Sequence, residues 1–267
     1  MVANMDFLKI IKKRSFLSEF IYVIMNVVLA VVLAVIVQAT GSPWFAFIIF
    51  LLSMWRIFAV RPRFWFAHIK SNMVSIIIGI SYVVFLYITY LTNIGNQQVY
   101  IIEGFLVLLY ICWLLFLKPQ SKRVYIAVQS GIALFAGITA IFNLTYNWAA
   151  TPVVLLAWLV GYATASHILG SYDEENHTTL LSLVWGLTVA EISWLAYHWT
   201  IAYKLPIITG ILLPQISVIL ICLGFLMYKS YNSYYHYQKI RFNDILLPLI
   251  FTISTVSLLV LVFNGIN

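Results

Sequence analysis

Almost the whole chain is a succession of apolar runs, each close to the length needed to cross a bilayer. A transmembrane helix requires about 20 mostly apolar residues to cover roughly 30 Å of hydrocarbon. Runs of that kind lie at about 18–39, 43–60, 72–93, 98–117, 124–144, 150–170, 178–198, 205–228 and 244–264. The second is the shortest and carries Arg56. The longest polar pieces are the amino terminus up to Leu17 and the stretch 229–243. Neither holds a soluble domain, so residues 1–267 are expected to form one integral-membrane domain.

Backbone groups in hydrocarbon must find partners within the protein, which leaves helices or a closed barrel. A barrel would show alternating strands of roughly ten residues. Here stretches such as 21–37 are apolar on every side, which is a helical pattern. The fold class is therefore all-α, a polytopic bundle of about nine spans. Lys12-Lys13-Arg14 ahead of an apolar run resembles a signal peptide, but the run exceeds the 7–15 residues of such a segment. Pro43 and the next run follow at once, so the first helix is read as uncleaved.

The formal charge of +7 needs no nucleic acid to explain it. Lys9, Lys12, Lys13, Arg14, Arg56, Arg61, Arg63, Lys70, Lys118, Lys122, Arg123, Lys229, Lys239 and Arg241 all fall on one side of the nine-span layout, and Lys204 falls on the other. Positively charged loops face the cytoplasm. The amino terminus is thus expected inside and the carboxyl terminus outside, in a plasma or inner membrane. Cys112 and Cys222 lie within spans and read as packing residues, since two thiols make no disulfide framework or metal site. No cofactor is implied.

The loops are short, and no second copy of Arg61-Pro62-Arg63-Phe64-Trp65 or of Asp173-Glu174-Glu175 marks an internal repeat. Ala157, Gly161 and Ala165 line one stripe of the sixth run, Ala133 and Gly137 of the fifth, Gly186 and Ala190 of the seventh. Such stripes let helix backbones approach closely in lipid, which makes runs five to seven the tight core. Aromatic residues gather at the expected interfaces: Phe64 to Phe66, Trp194 to Tyr203, and the tyrosines of 228–237. Arg61, Arg63, Lys239 and Arg241 beside them are candidates for lipid headgroups.

Ionisable residues inside spans are costly and are the first functional candidates. Arg56 either snorkels to phosphate or pairs with Glu19 at similar depth. Glu103 and Glu191 lie at similar depth in the outer half, and His198 follows Glu191 by seven positions on nearly the same helical face. Together they could form a proton relay or cation path. The loop after the sixth run holds His167, Asp173, Glu174, Glu175 and His177 on an otherwise basic side. It could hold a divalent metal or perform acid–base chemistry, although its spacing matches no metal motif, or its acids could favour the start of the seventh helix. Pro206, Gly210 and Pro214 in the eighth run predict a bend.

No phosphate-binding glycine loop, serine-hydrolase elbow or His-Glu-x-x-His motif is present, and no lysine lies within a span. Three classes follow. The first is a secondary transporter or channel working through Glu103, Glu191 and His198. The second is a non-catalytic subunit or scaffold of a larger membrane assembly. The third is an enzyme acting on a lipid-linked substrate at the cytoplasmic loop, with Arg61 and Arg63 holding phosphate. Expected partners are lipids and other membrane subunits.

Overall fold

The computed structural model describes residues 2–57, 59–92, 98–172, 175–199, 201–204 and 210–263, with side chains from Ser18 onward except those of Arg56 and Gln98. The described residues are overwhelmingly helical. The elements are α1 (Val2–Thr40), α2 (Pro43–Ser53), α3 (Trp65–Thr92), α4 (Gln98–Cys112), α5 (Arg123–Leu144), α6 (Ala150–Leu169), α7 (Thr178–His198), α8 (Gln215–Tyr237) and α9 (Phe242–Leu261). A π-turn, Trp113–Leu117, extends α4, and a short hairpin of β1 (Ala202–Lys204) and β2 (Leu212–Pro214) precedes α8. Among the described residues eight helices are long and apolar enough to cross a membrane.

The second expected span, 43–60, is the one that falls short. Gly41 ends α1 at φ +61°, Ser42 accepts the Trp44 N–H, and Pro43 supplies the first helical turn. Eleven residues then rise about 16 Å, half the hydrocarbon thickness. The helix stops where the Ser53 hydroxyl donates to the Phe50 carbonyl at 2.6 Å. Farther on, Pro62 holds Arg61 extended, at ψ 138°. Two 3₁₀ turns, Trp55–Ile57 and Pro62–Phe64, lead to α3. Helix α2 runs antiparallel to α3, since Gly41 lies against Tyr90 and the Phe50 ring fills the space above Gly79.

The eighth expected span also differs. Residues 202–204 and 212–214 pair as antiparallel strands, not as part of a bent helix: Gly210 turns at φ +103°, Pro214 is the N-cap of α8, and Pro206 lies outside the described residues. Helix α8 instead continues through the tyrosine-rich segment to Tyr237, where Gln238 in the left-handed region ends it. Pro248 lies in the interior of α9.

Helix α5 is the hub, packing on α3, α6 and α8. One core joins α1 to α4 around Leu33, Phe50, Val83, Leu86 and Leu114; a second joins α5 to α8 around Ile138, Ala157, Val189 and Leu220. The small-residue stripes form the expected tight contacts. A Cβ on Gly161 would stand 2.8 Å from the Val189 Cβ and 3.0 Å from the Gly186 Cα, and one on Gly186 would stand 3.1 Å from the Trp158 carbonyl. Only glycine permits α6 and α7 to approach so closely. Helix α9 is peripheral: it packs on α8 through Thr252, whose hydroxyl donates to the Cys222 carbonyl at 3.2 Å.

Candidate functional site

The two membrane-depth carboxylates occupy different environments. Glu103 on α4 is buried, and the Gln38 amide of α1 donates to its Oε1 at 2.5 Å. About two helical turns toward the basic end, Tyr82 of α3 stacks on Tyr110 of α4 at 4.1 Å, and the Tyr82 hydroxyl donates to the Ala30 carbonyl at 2.9 Å. Gln38 was not singled out from sequence, although a lone amide inside an apolar run is a readable signal of an interhelical partner.

Glu191 is exposed on α7. Helix α7 packs on α6 and α8, whereas α4 packs on α1 and α3, so the expected meeting of Glu103 with Glu191 is not formed. Sequence distance fixes the height of a residue along a helix; the neighbour on each face is set by tertiary packing. His198 is also exposed, edge-on to Trp194 at 5.0 Å, and shares an outward stripe with Glu191, Leu187, Val184 and Leu180.

At the opposite end, where Arg61, Lys118, Arg123 and Arg241 lie, an aromatic cluster fastens the loop after α6 to α8. Tyr172 is buried edge-on against Tyr231 at 4.9 Å and Tyr235 at 4.7 Å, and its hydroxyl donates to Asn232 Oδ1 at 3.3 Å. The Arg123 guanidinium lies over Tyr172 at 4.3 Å and Tyr235 at 5.3 Å. Burial pushes the Tyr172 phenol up to about 12. Glu175 accepts from the Tyr231 hydroxyl and from the His177 N–H, which hold its carboxyl below the usual carboxylate range. Burial pulls the Lys118 ammonium below the usual lysine range.

The candidate residues of that loop do not share one contact. His167, in the last turn of α6, meets Gln129 Oε1 at 2.9 Å, and the Gln129 amide donates to the Leu117 and Gln120 carbonyls. Because that amide donates on both sides, His167 is the donor to its oxygen. Glu175 and His177 belong to the tyrosine cluster, and Asp173 and Glu174 lie outside the described residues. Among the described residues no three of His, Cys, Asp and Glu group closely enough for a metal.

Glu19 is exposed, while the side chain of its expected partner Arg56 lies outside the described residues. Arg61 and Arg63 are exposed at the start of α3, with Arg63 over the Phe64 ring at 4.6 Å. Lys239 and Arg241 are exposed between α8 and α9, and Arg241 covers the Tyr237 ring at 3.3 Å.

At the Lys204 end the hairpin is pinned to the bundle. Asn143 Nδ2 donates to the Leu212 carbonyl at 2.7 Å, and Asn143 Oδ1 accepts the Leu212 N–H at 2.9 Å. The second Nδ2 hydrogen serves the Thr139 carbonyl at 2.8 Å. Beside the hairpin, α7, α8 and α9 border an open apolar groove of about 380 Å³ that neither Glu103 nor Glu191 lines. No protein-family model, curated protein or solved structure matches this chain.

Proposed function

We propose that this chain is a non-catalytic subunit of a larger membrane assembly, held to a neighbouring transmembrane helix along the outward face of α7. The observation that carries the reading is Glu191, exposed amid an apolar stripe and about 10 Å along the helix from His198. A carboxylate facing acyl chains is costly, and a basic or amide group on a partner helix relieves that cost. The basic end is read as cytoplasmic, with the amino terminus on that side. We read the carboxyl terminus as outside, a reading supported by the passage of the chain through α2 and its two 3₁₀ turns before α3.

Mild-detergent purification from the source membrane, followed by native mass spectrometry, tests this reading. A stoichiometric membrane protein is expected, retained by wild type and lost in Glu191→Ala. A lone chain, or a partner indifferent to Glu191, overturns it.

A second reading is transport of a proton or small cation past Glu103, favoured by the burial of that carboxylate against Gln38. Purified protein in liposomes would then show an ion flux that Glu103→Gln abolishes. Liposomes no leakier than protein-free controls would discard it.

A further inference from the structure

Helix α3 is longer than the layer it crosses. Its 28 residues rise about 42 Å, against roughly 30 Å of hydrocarbon. At the Lys204 end the turn between α1 and α2 marks the boundary, because Gly41 lies against Tyr90 and nearby Trp44 is 71% exposed. Counting about 20 residues back from Tyr90 reaches Lys70. The first turns of α3, with the 3₁₀ turn Pro62–Phe64 ahead of them, therefore stand in the headgroup layer of the basic end.

That overhang is built from cations and aromatic rings. Arg61, Arg63 and Lys70 are all exposed, and so are Phe64, Trp65 and Phe66 between them, Phe66 by 86%. The Trp65 indole donates to the Val60 carbonyl at 2.9 Å, which closes the turn, and the Arg63 guanidinium lies over the Phe64 ring at 4.6 Å. No acid offsets these charges along the segment, since the chain has no Asp or Glu between Glu19 and Glu103. The other basic segments differ. Arg123 is taken up by the Tyr172 and Tyr235 rings, and Arg241 lies over Tyr237 and three residues from Asp244.

Complementarity selects the occupant. An acidic soluble segment would answer the charges and leave the uncovered rings in water. An anionic lipid answers both: its phosphate suits the planar guanidinium fork, and the acyl boundary below it receives aromatic rings. A zwitterionic lipid brings a cation of its own and leaves the excess positive charge unbalanced.

We propose that the overhang of α3 is a binding site for an anionic glycerophospholipid, with the phosphate held by Arg61 and Arg63 and Phe66 seated at the acyl boundary. The site is independent of the outward α7 face and of any partner there.

For the test, full-length protein in mild detergent is mixed with equal amounts of phosphatidylglycerol and phosphatidylcholine, and the retained lipids are counted by native mass spectrometry. Phosphatidylglycerol should be retained several-fold over phosphatidylcholine. A basic residue near an anionic surface is worth roughly five-fold in affinity, so Arg61→Gln with Arg63→Gln should cut the preference at least that much. Both side chains are exposed, and an unchanged thermal midpoint shows that the variant is folded. Each single arginine variant repeats the test with half of that charge removed. Lys239→Gln with Arg241→Gln, an equal loss of charge at the α8–α9 turn, should leave most of the preference in place. Equal retention of the two lipids by wild type overturns the proposal, as does a preference that the folded arginine variants keep or that both double variants lose alike. Release of phosphatidylglycerol by millimolar inorganic phosphate would make this a site for free phosphate, and overturns it too.

Discussion

The two sides of α7 follow opposite rules. Toward α6 the contact is closed down to backbone, with Gly161 set against Val189 and Gly186. Away from α6 the helix shows Leu180, Val184, Leu187, Trp194 and Leu195 uncovered, with Glu191 among them. In lipid there is little hydrophobic drive for helices to associate, so only shape and polar contacts hold them. The side with glycine complementarity is packed within the chain. The side with large residues and a carboxylate is left to lipid or to another protein.

Gly161→Leu should break the closed side outright. Its added atoms would meet the Gly186 backbone, which cannot rotate away, and overpacking of this kind costs about 3 kcal/mol or more. Thermal unfolding in detergent should show loss of a cooperative transition. A leucine variant as stable as wild type would mean that α6 and α7 are not in backbone contact.

The carboxylates extend the comparison to a second helix. Glu103→Leu leaves the half-buried Gln38 amide without its acceptor, which should cost about 1 kcal/mol. Glu191→Leu removes a charge that has no described partner within the chain, so the isolated protein should keep or gain stability. Thermal midpoints of the two purified variants, read side by side, check the contrast. Equal losses would place Glu191 inside the fold.

What the sequence made legible follows from this contrast. Apolar run length gave the transmembrane class and eight of the expected helices, and small residues spaced by four gave the α6–α7 contact. Both signals are periodic along one helix. The failures were of another kind. The run 43–60 looked continuous because hydropathy does not register a serine bonding back to the backbone, or a proline constraining the residue before it. The hairpin was hidden inside an apolar stretch that contained its own turn residue, Gly210, and the α8 cap, Pro214. The pairing of Glu103 with Glu191 assumed a neighbour relation between helices that depth cannot supply. Tyr172, which organises the basic end, carries no local signal, because its partners Arg123, Tyr231 and Tyr235 come from distant segments.

Asn143 offers a smaller test, at the end where the hairpin closes over α5. Asn143-Leu-Thr145 reads as a glycosylation sequon. In the fold both Nδ2 hydrogens are used, by Thr139 and Leu212, and Thr145 is fully buried. The folded protein should therefore carry no glycan at Asn143 in a glycosylating host, which an intact mass shows directly. Asn143→Ala should lower stability by about 1–2 kcal/mol through the lost hairpin bonds, and an observed glycan would mean that the hairpin is not seated there.

The smallest effect belongs to the basic end, where the packed Tyr172 and the hydrogen-bonded Glu175 together attach the loop to α8. Glu175 has its carboxyl held below the ordinary 4.5 by Tyr231 and the His177 N–H. Its contribution is present above about that pH and is lost as pH falls through the lowered folded value. Tyr172 is displaced the other way, from 10.0 up to about 12, so its contribution is present below the first value and lost as pH rises through the second. The loop should therefore stay fastened through the neutral range and loosen at both extremes. Tyr172→Phe should flatten the alkaline arm of a plot of melting temperature against pH, and Glu175→Gln should flatten the acid arm. The loss at neutral pH should be no more than about 1 kcal/mol, because the carboxylate is near solvent. If Tyr172→Phe flattened the acid arm as well, Glu175 and Tyr172 would be acting as one unit, and the loop would be as tightly joined to α8 as α6 is to α7.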